Sequence, residues 1–259
     1  MKIHPTAIVD KKAKLADDVE VGPYAIIGPN VEIGKGSIIG PRVTVEGYTI
    51  IGEGDRIFTG AVIGSAPQDL KYKGQKSFLK IGKNNIIREY VTMNPGTGEG
   101  TATCIGDGNL FMAYSHVAHD CRIGNNCVIA NIGTLAGHVT LEDRVVLGGL
   151  AAIHQFTRVG KMSIIGGCSK VVQDIPPFST CDGNPARVYG LNLIGVRRAG
   201  MPQKAQRELK KAFKILFHSR LALKNGIAKV KKEIASIKEV EYLLNFLKDS
   251  ERGICRGGK

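Results

Sequence analysis

With 259 residues, 43% hydrophobic content and 33 glycines, the chain has the composition of a folded protein, with one large domain and room for an appendage. Six cysteines with no CxxC pair exclude a disulfide-stapled secreted domain, and no apolar run approaches the ~18 residues of a membrane span, so free thiols and no membrane insertion are expected. The net charge of +13 is uneven: residues 203–259 carry 15 Lys/Arg against 6 Asp/Glu, which favours an acidic partner, and with no aromatic-rich motif nearby, nucleic acid is not expected.

The opening MKIHPTAIVD has no charged-then-apolar leader, which makes the cytoplasm the default location. From Ile3 onward an aliphatic residue recurs every six positions. Of the 29 slots from Ile3 to Val171, 26 hold Ile, Val, Leu, Met or Phe, the exceptions being Asp69, Gln75 and Glu99. Four residues after each aliphatic there is usually a small or β-branched residue, as at Ala25, Val31, Ser37, Ser115, Cys121 and Cys127. A period of six fits neither an α-helix nor a simple alternating strand; it fits a short strand and a tight turn repeated as one face of a three-sided prism. Three faces make an 18-residue coil, with the large aliphatic and the small residue pointing inward. About nine coils are expected. The three failed slots predict two excursion loops that leave the frame intact, one around residues 68–80 and one around 96–103; loops on so regular a scaffold are candidates for function.

After Val171 the period fails at Asp174-Ile175-Pro176-Pro177. From Pro202 the pattern becomes helical, with Ala205, Leu209, Ala212, Phe213 and Leu216, then Ile227, Val230 and Ile234, then Val240, Leu243, Leu244 and Leu247. The expected organisation is a β-helix over residues 1–190 and a basic α-helical domain over 191–259.

If residues 18 apart stack at roughly 4.7–4.9 Å, functional groups fall into columns. His119, Gly137 and Gln155 form one outward column; Asp120, His138 and Phe156 form the next. His116 and His154 lie beside them, which gathers four of the six histidines at one edge. An imidazole, with an ordinary pKa near ~6.5, can take a hydroxyl proton at neutral pH, and Asp120 could orient it. The Gly137 N–H could donate to a developing oxyanion, with no side chain in the way. No serine or cysteine is paired with a base, which favours direct transfer over an acyl-enzyme. A convex edge cannot bury a ligand alone, so a homo-oligomer is expected, with a trimer natural for a three-sided column.

The segments His116-Val117-Ala118-His119-Asp120-Cys121, Leu135-Ala136-Gly137-His138-Val139, His154-Gln155-Phe156, Gly166-Gly167-Cys168-Ser169 and Gln68-Asp69-Leu70-Lys71-Tyr72 together resemble the acyl-carrier-protein-dependent UDP-N-acetylglucosamine O-acyltransferases, along essentially the whole chain. The resemblance implies a left-handed parallel β-helix, an exception to the usual right-handed crossover. It implies a homotrimer that moves an (R)-3-hydroxyacyl group from acyl carrier protein to the sugar 3-hydroxyl of UDP-N-acetylglucosamine, the first step of lipid A synthesis in bacteria of the Gram-negative type. By the same resemblance His119 is the base, Asp120 its partner and Gly137 the oxyanion donor. His116, His138, His154 and Asp69 would contact substrate, with Gln68 and Lys71 near the acyl group. Gln155, Asn192 and Arg198 would contact the nucleotide, and Gly167 would leave room for a longer acyl chain. The basic tail would meet the acidic carrier protein. No cofactor and no metal are implied. Ile194, Pro185 and Asn94-Pro95 depart from the family pattern, which touches the nucleotide contacts and the acyl groove.

Three other readings compete. The acceptor could be a 3-amino sugar. His116, His119 and His138 could imitate the zinc set of hexad-repeat carbonic anhydrases. The column could also be a scaffold without activity. The related N-acyltransferases carry an extra N-terminal domain, for which hexads starting at residue 3 leave no room.

Overall fold

A computed structural model describes residues 1–257; Gly258 and Lys259, the end of the expected appendage, lie outside the described residues. Among these, two-residue strands alternate with four-residue turns, and every third strand joins the same parallel sheet. The first sheet opens with Lys2–Ile3, the second with Ile8–Val9 and the third with Lys14–Leu15; they contain eleven, nine and eight strands. Each strand donates to the coil above it, as in Ile26 N–H to the Val43 carbonyl at 2.9 Å. The hexad's large residue fills the interior: Ile27, Ile33, Ile39, Ile63, Ile87, Ile129 and Leu147 are all buried. The small position is buried too, at Ala25, Ser37, Ser115, Cys121 and Cys127, as the hexad pattern requires.

Corners turn through residues with φ near +60°, including non-glycines such as Tyr24, Arg42, Asp120, His138 and Phe156. That conformation costs an L-residue roughly 1 kcal/mol or more, a cost set against the continuous ladder of hydrogen bonds between coils. The ladder offset is 18 residues, except across two excursions, where it becomes 30 and then 24. The excursions therefore add two hexads and one hexad. The failed slots Asp69 and Gln75 fall in the first and Glu99 in the second, which is why the frame is never lost. Both loops end earlier than the sequence suggests, because Phe78–Ile81 and Ala102–Ile105 are four-residue strands of the third sheet.

One stretch of the interior is polar. Asp55 Oδ1 accepts the N–H and the amide of Asn85 (2.6 and 3.0 Å), Asn85 Oδ1 accepts the same pair from Asn109 (2.9 and 3.0 Å), and Asn109 Oδ1 accepts the Cys127 N–H at 2.8 Å. Below it the Asp55 N–H donates to Ser37 Oγ at 3.1 Å. Among the described residues Asp55 Oδ2 is buried and unpartnered, and burial pushes its carboxyl up to about 6 against the hydrogen bonds from Asn85.

The column ends in an antiparallel pair, Ser179–Gly183 with Ala186–Leu191, which the hexad pattern does not announce. Four helices follow: α1 (Leu193–Arg198), α2 (Gln203–His218), α3 (Leu223–Glu233) and α4 (Lys238–Lys248). The first begins well before Pro202, where the sequence reading places the onset of helix. The predicted apolar stripes of the other three are buried, apart from a half-exposed Ile227. Helix α4 is tied to the column by Glu142, which accepts from Arg158 (2.8 and 3.0 Å), the Lys161 N–H (2.9 Å) and the Tyr242 hydroxyl.

Candidate active site

Both excursions leave the edge between the second and third sheets, and the histidine columns lie on that same edge. His119 follows the second-sheet strand His116–Val117, and Asp120, with φ +58°, turns the corner after it. His119 Nδ1 lies 2.9 Å from Asp120 Oδ2. The second excursion closes over this carboxylate: the Thr97 N–H and Oγ1 donate to the same oxygen at 3.1 and 2.8 Å. Burial opposes ionisation of Asp120, but the bonds from His119, Thr97 and Thr101 outweigh it and hold the carboxyl below its ordinary range. An ionised Asp120 accepts only, so the His119 proton sits on Nδ1 and Nε2 presents its lone pair outward.

On that outward side stands Asp69, brought by the first excursion. Its Oδ1 accepts the Lys71 N–H at 2.9 Å, and its Oδ2 is left 3.8 Å from His119 Nε2. The imidazole thus lies between two carboxylates, with only 16% of its side chain exposed. Gly137 is one coil above. A Cβ there would come within 2.4 Å of His119 Cε1 and 2.5 Å of Nε2, so the ring lies directly over the glycine backbone. Among the described residues the Gly137 N–H donates to no protein acceptor.

His138 stands edge-on to His119, with centroids 5.1 Å apart, and stacks on Phe156 at 4.5 Å and 8°. Its Nε2 is 3.8 Å from Asp120 Oδ2. His116 bonds Thr92 Oγ1 through Nδ1 at 2.7 Å; burial, with His119 nearby, lowers its pKa. Gln155 is exposed on the same edge, and His154 beside it meets Arg252. Gln68 and Lys71 are exposed on the first excursion.

The remaining expected residues lie elsewhere on the same chain. Asn192 caps α1 through Oδ1 to the Gly195 N–H (2.9 Å), its amide donates to the Met162 carbonyl (2.9 Å), and its own N–H bonds the Phe178 carbonyl (2.7 Å). Met162 is a corner of the edge between the third and first sheets. Arg198 ends that helix, exposed. Gly167 lies on the third edge, between the first and second sheets, where a Cβ would meet the Gly149 carbonyl at 3.2 Å. Sequence reasoning missed Thr97, Thr101 and Arg252 because these residues reach the histidines by loop folding and tail docking, at separations unrelated to the hexad, and it missed Thr92, the ladder partner of His116, because the second excursion stretches that coil from 18 to 24 residues.

His119, Asp120 and His138 offer ligand atoms within 4.8 Å of one another. The oxygen they share already accepts three hydrogen bonds, however, and His116, the third member of the imagined zinc set, is turned toward Thr92. Burial pushes the thiols of Cys121 and Cys127 up to about 12, which removes them as nucleophiles.

Residues 105–131 of this prism of hexads match the bacterial transferase hexapeptide family (six repeats), which gives the class, the hexapeptide-repeat transferases. Residues 174–255 match UDP N-acetylglucosamine O-acyltransferase, domain 2. Over 256 residues, 98% of this chain and 99% of the relative, the sequence is 51% identical to the acyl-[acyl-carrier-protein]–UDP-N-acetylglucosamine O-acyltransferase of Thermodesulfovibrio yellowstonii. It is 48% identical over 257 residues (99% and 100%) to that of Anaeromyxobacter dehalogenans. The solved structure of LpxA from Acinetobacter baumannii superposes with a TM-score of 0.93 at 43% identity, covering 98% of this chain and 99% of that one. The UDP-N-acetylglucosamine acyltransferase of Francisella novicida gives 0.93 at 36% identity, covering 99% and 95%. The chain belongs to the UDP-N-acetylglucosamine O-acyltransferase family; it is an enzyme with a left-handed parallel β-helix and a helical appendage. The carbonic anhydrase and scaffold readings find no support among these relatives.

Proposed function

We propose that the enzyme transfers an (R)-3-hydroxyacyl group from acyl carrier protein to the 3-hydroxyl of UDP-N-acetylglucosamine, the first step of lipid A synthesis, with His119 as general base. The observation that carries this reading is the oriented imidazole: Nδ1–H is committed to Asp120, and Nε2 faces outward at the mouth of the first excursion. Nε2 takes the proton of the sugar hydroxyl as its oxygen attacks the thioester carbonyl. The tetrahedral oxyanion falls to the Gly137 N–H. On collapse the C–S bond breaks, and the departing thiolate recovers the proton from His119. Asp120 and Asp69 flank the transient imidazolium, so its charge forms between two negative groups already in place. His116, His138, His154, Gln155, Gln68 and Lys71 surround the substrates in this reading.

The wide separation of the expected contacts supports a homotrimer with shared sites. Asn192 and Arg198 belong to a different edge from His119, so one copy's base meets a neighbouring copy's nucleotide contacts only if the copies pack side by side. A column of exposed apolar corners, Tyr24, Tyr90, Tyr114, Ile132 and Leu150, gives such packing a surface. Among the described residues no helix is long and apolar enough to cross a membrane; the proposed carrier-protein donor suits a reaction in the cytoplasm. The basic helices suit an acidic carrier protein, and Gly167 suits a long acyl chain.

The test is to incubate the purified enzyme with UDP-N-acetylglucosamine and a panel of 3-hydroxyacyl carrier proteins and to follow acylated nucleotide sugar by mass spectrometry. Product from the parent and a loss of at least about 100-fold in His119→Ala are expected. Equal rates from both would overturn the assignment of the base.

A further inference from the structure

After α4 the chain turns back onto the column. The Asp174 N–H donates to the Gly253 carbonyl (2.8 Å), the Cys255 N–H donates to the Asp174 carbonyl (2.9 Å), and Ser250 Oγ donates to Asp174 Oδ2 (2.7 Å). Asp174 Oδ1 in turn accepts the Arg158 N–H at 2.8 Å. Ile254 and Cys255 are buried, and Ile254 forms a parallel bridge with Asp174. These main-chain and carboxylate bonds fix the tail without help from the Arg252 side chain. The guanidinium is left to reach the catalytic edge, 98 residues away in sequence, where one Nη2 lies 3.1 Å from His154 Nδ1 and 3.5 Å from the Val172 carbonyl.

His154 Nδ1 has a second neighbour, the Gln155 carbonyl oxygen at 3.2 Å. The two contacts demand opposite things of the ring. A guanidinium only donates, so toward Arg252 Nδ1 must be a bare acceptor; a carbonyl only accepts, so toward Gln155 Nδ1 must carry a proton. A guanidinium offers N–H donors and no acceptor, and Arg252 therefore selects the tautomer with the proton on Nε2. His154 is exposed on the edge, one residue before Gln155 in the column of Gly137 and His119.

We propose that Arg252 is a positioning residue for the transfer reaction, holding His154 as an Nε2–H donor toward an oxygen of the bound substrates. This rests on the reading of His154 as a substrate contact. Removing the guanidinium releases Nδ1 to take a proton and bond the Gln155 carbonyl, which turns the outward nitrogen from donor into acceptor.

The experiment compares Arg252→Gln, Arg252→Lys, His154→Ala and the double variant Arg252→Gln/His154→Ala by steady-state kinetics. In parallel, ¹⁵N spectra of histidine-labelled protein report which ring nitrogen of His154 is protonated, with His154→Ala supplying the assignment. The expected result is a loss of kcat/KM of about tenfold in Arg252→Gln, substantial recovery in Arg252→Lys, and no further loss in the double variant beyond His154→Ala alone. The spectrum of the parent should show Nε2–H, with Nδ1–H growing in Arg252→Gln while the melting temperature stays within a degree or two of the parent. Losses that multiply in the double variant, or a tautomer indifferent to Arg252, would overturn the proposal. Full activity in His154→Ala would instead remove the substrate contact on which it rests, whatever the spectrum shows.

Discussion

The imidazole of His119 rests on the backbone of Gly137, so closely that a methyl group at 137 would lie 2.4 Å from Cε1. Gly137 is buried and is not in the left-handed region, so alanine is compatible with the backbone, and the ring is what must move. In the proposed mechanism, displacement by about an ångström would separate Nε2 from the sugar hydroxyl and cover the Gly137 N–H. Gly137→Ala is expected to lower kcat by about 100-fold or more while the melting temperature and circular dichroism remain near those of the parent. A variant of full activity would show that neither the ring position nor that N–H matters.

Sites shared between copies, as proposed, predict subunit complementation. His119→Ala and Arg198→Ala should each be nearly inactive alone. Unfolded together and refolded as mixed oligomers, they should regain activity, because some interfaces pair an intact His119 with an intact Arg198 of the next copy. Activity no higher than the sum of the two separate preparations would place both residues in one copy's site or outside the site altogether.

The buried Asp55 predicts a pH-dependent stability. Its folded pKa, about 6, lies above the ordinary 3.8, so between these values the folded chain keeps a proton that the unfolded chain has lost. Stability from this group is therefore full below about pH 4 and falls as pH rises through about 6, by on the order of 3 kcal/mol. Asp55→Asn extends the Asn85–Asn109 ladder by one rung toward Ser37 and removes the charge. Thermal melts should show the variant more stable than the parent at pH 8, with the advantage shrinking toward pH 4; a constant difference would refute the account.

Helix α4 is anchored to the column through the hydroxyl of Tyr242 on Glu142, and burial together with that carboxylate pushes the phenol's pKa up. Tyr242→Phe keeps the ring under Lys161, whose Nζ is 3.6 Å from the ring centroid, and leaves Glu142 bonded to Arg158 and the Lys161 N–H. Calorimetry should register a loss of about 1 kcal/mol with kcat unchanged. A fall in kcat would mean that the docking of α4 is coupled to the catalytic edge.

The hexad carried most of the fold in plain view. Repetition fixes which residues point inward, because each large aliphatic has no other place to go, and it makes Asp69, Gln75 and Glu99 visible as insertions of whole repeats. The same regularity placed His119, Asp120, Gly137 and His138 on one edge, since a side chain's edge depends only on its position modulo the coil. The antiparallel pair after Ser179 and helix α1 were not legible, for they lie beyond the repeat and are too short to show a period of their own.

Only the tertiary structure decided how the excursions and the tail fold back. Thr97 reaches Asp120, Asp69 reaches His119 and Arg252 reaches His154 across chain separations that no local pattern encodes. Likewise, Asn192 could be named from the sequence as a site residue, but its commitment to capping α1 beside Met162, on another edge, came from the docking of the helical segment. Periodic sequence determines where a residue faces because burial is repeated at every coil. Contacts made once, by loops and termini, depend on the packing of the whole molecule and have no repeated signal to read.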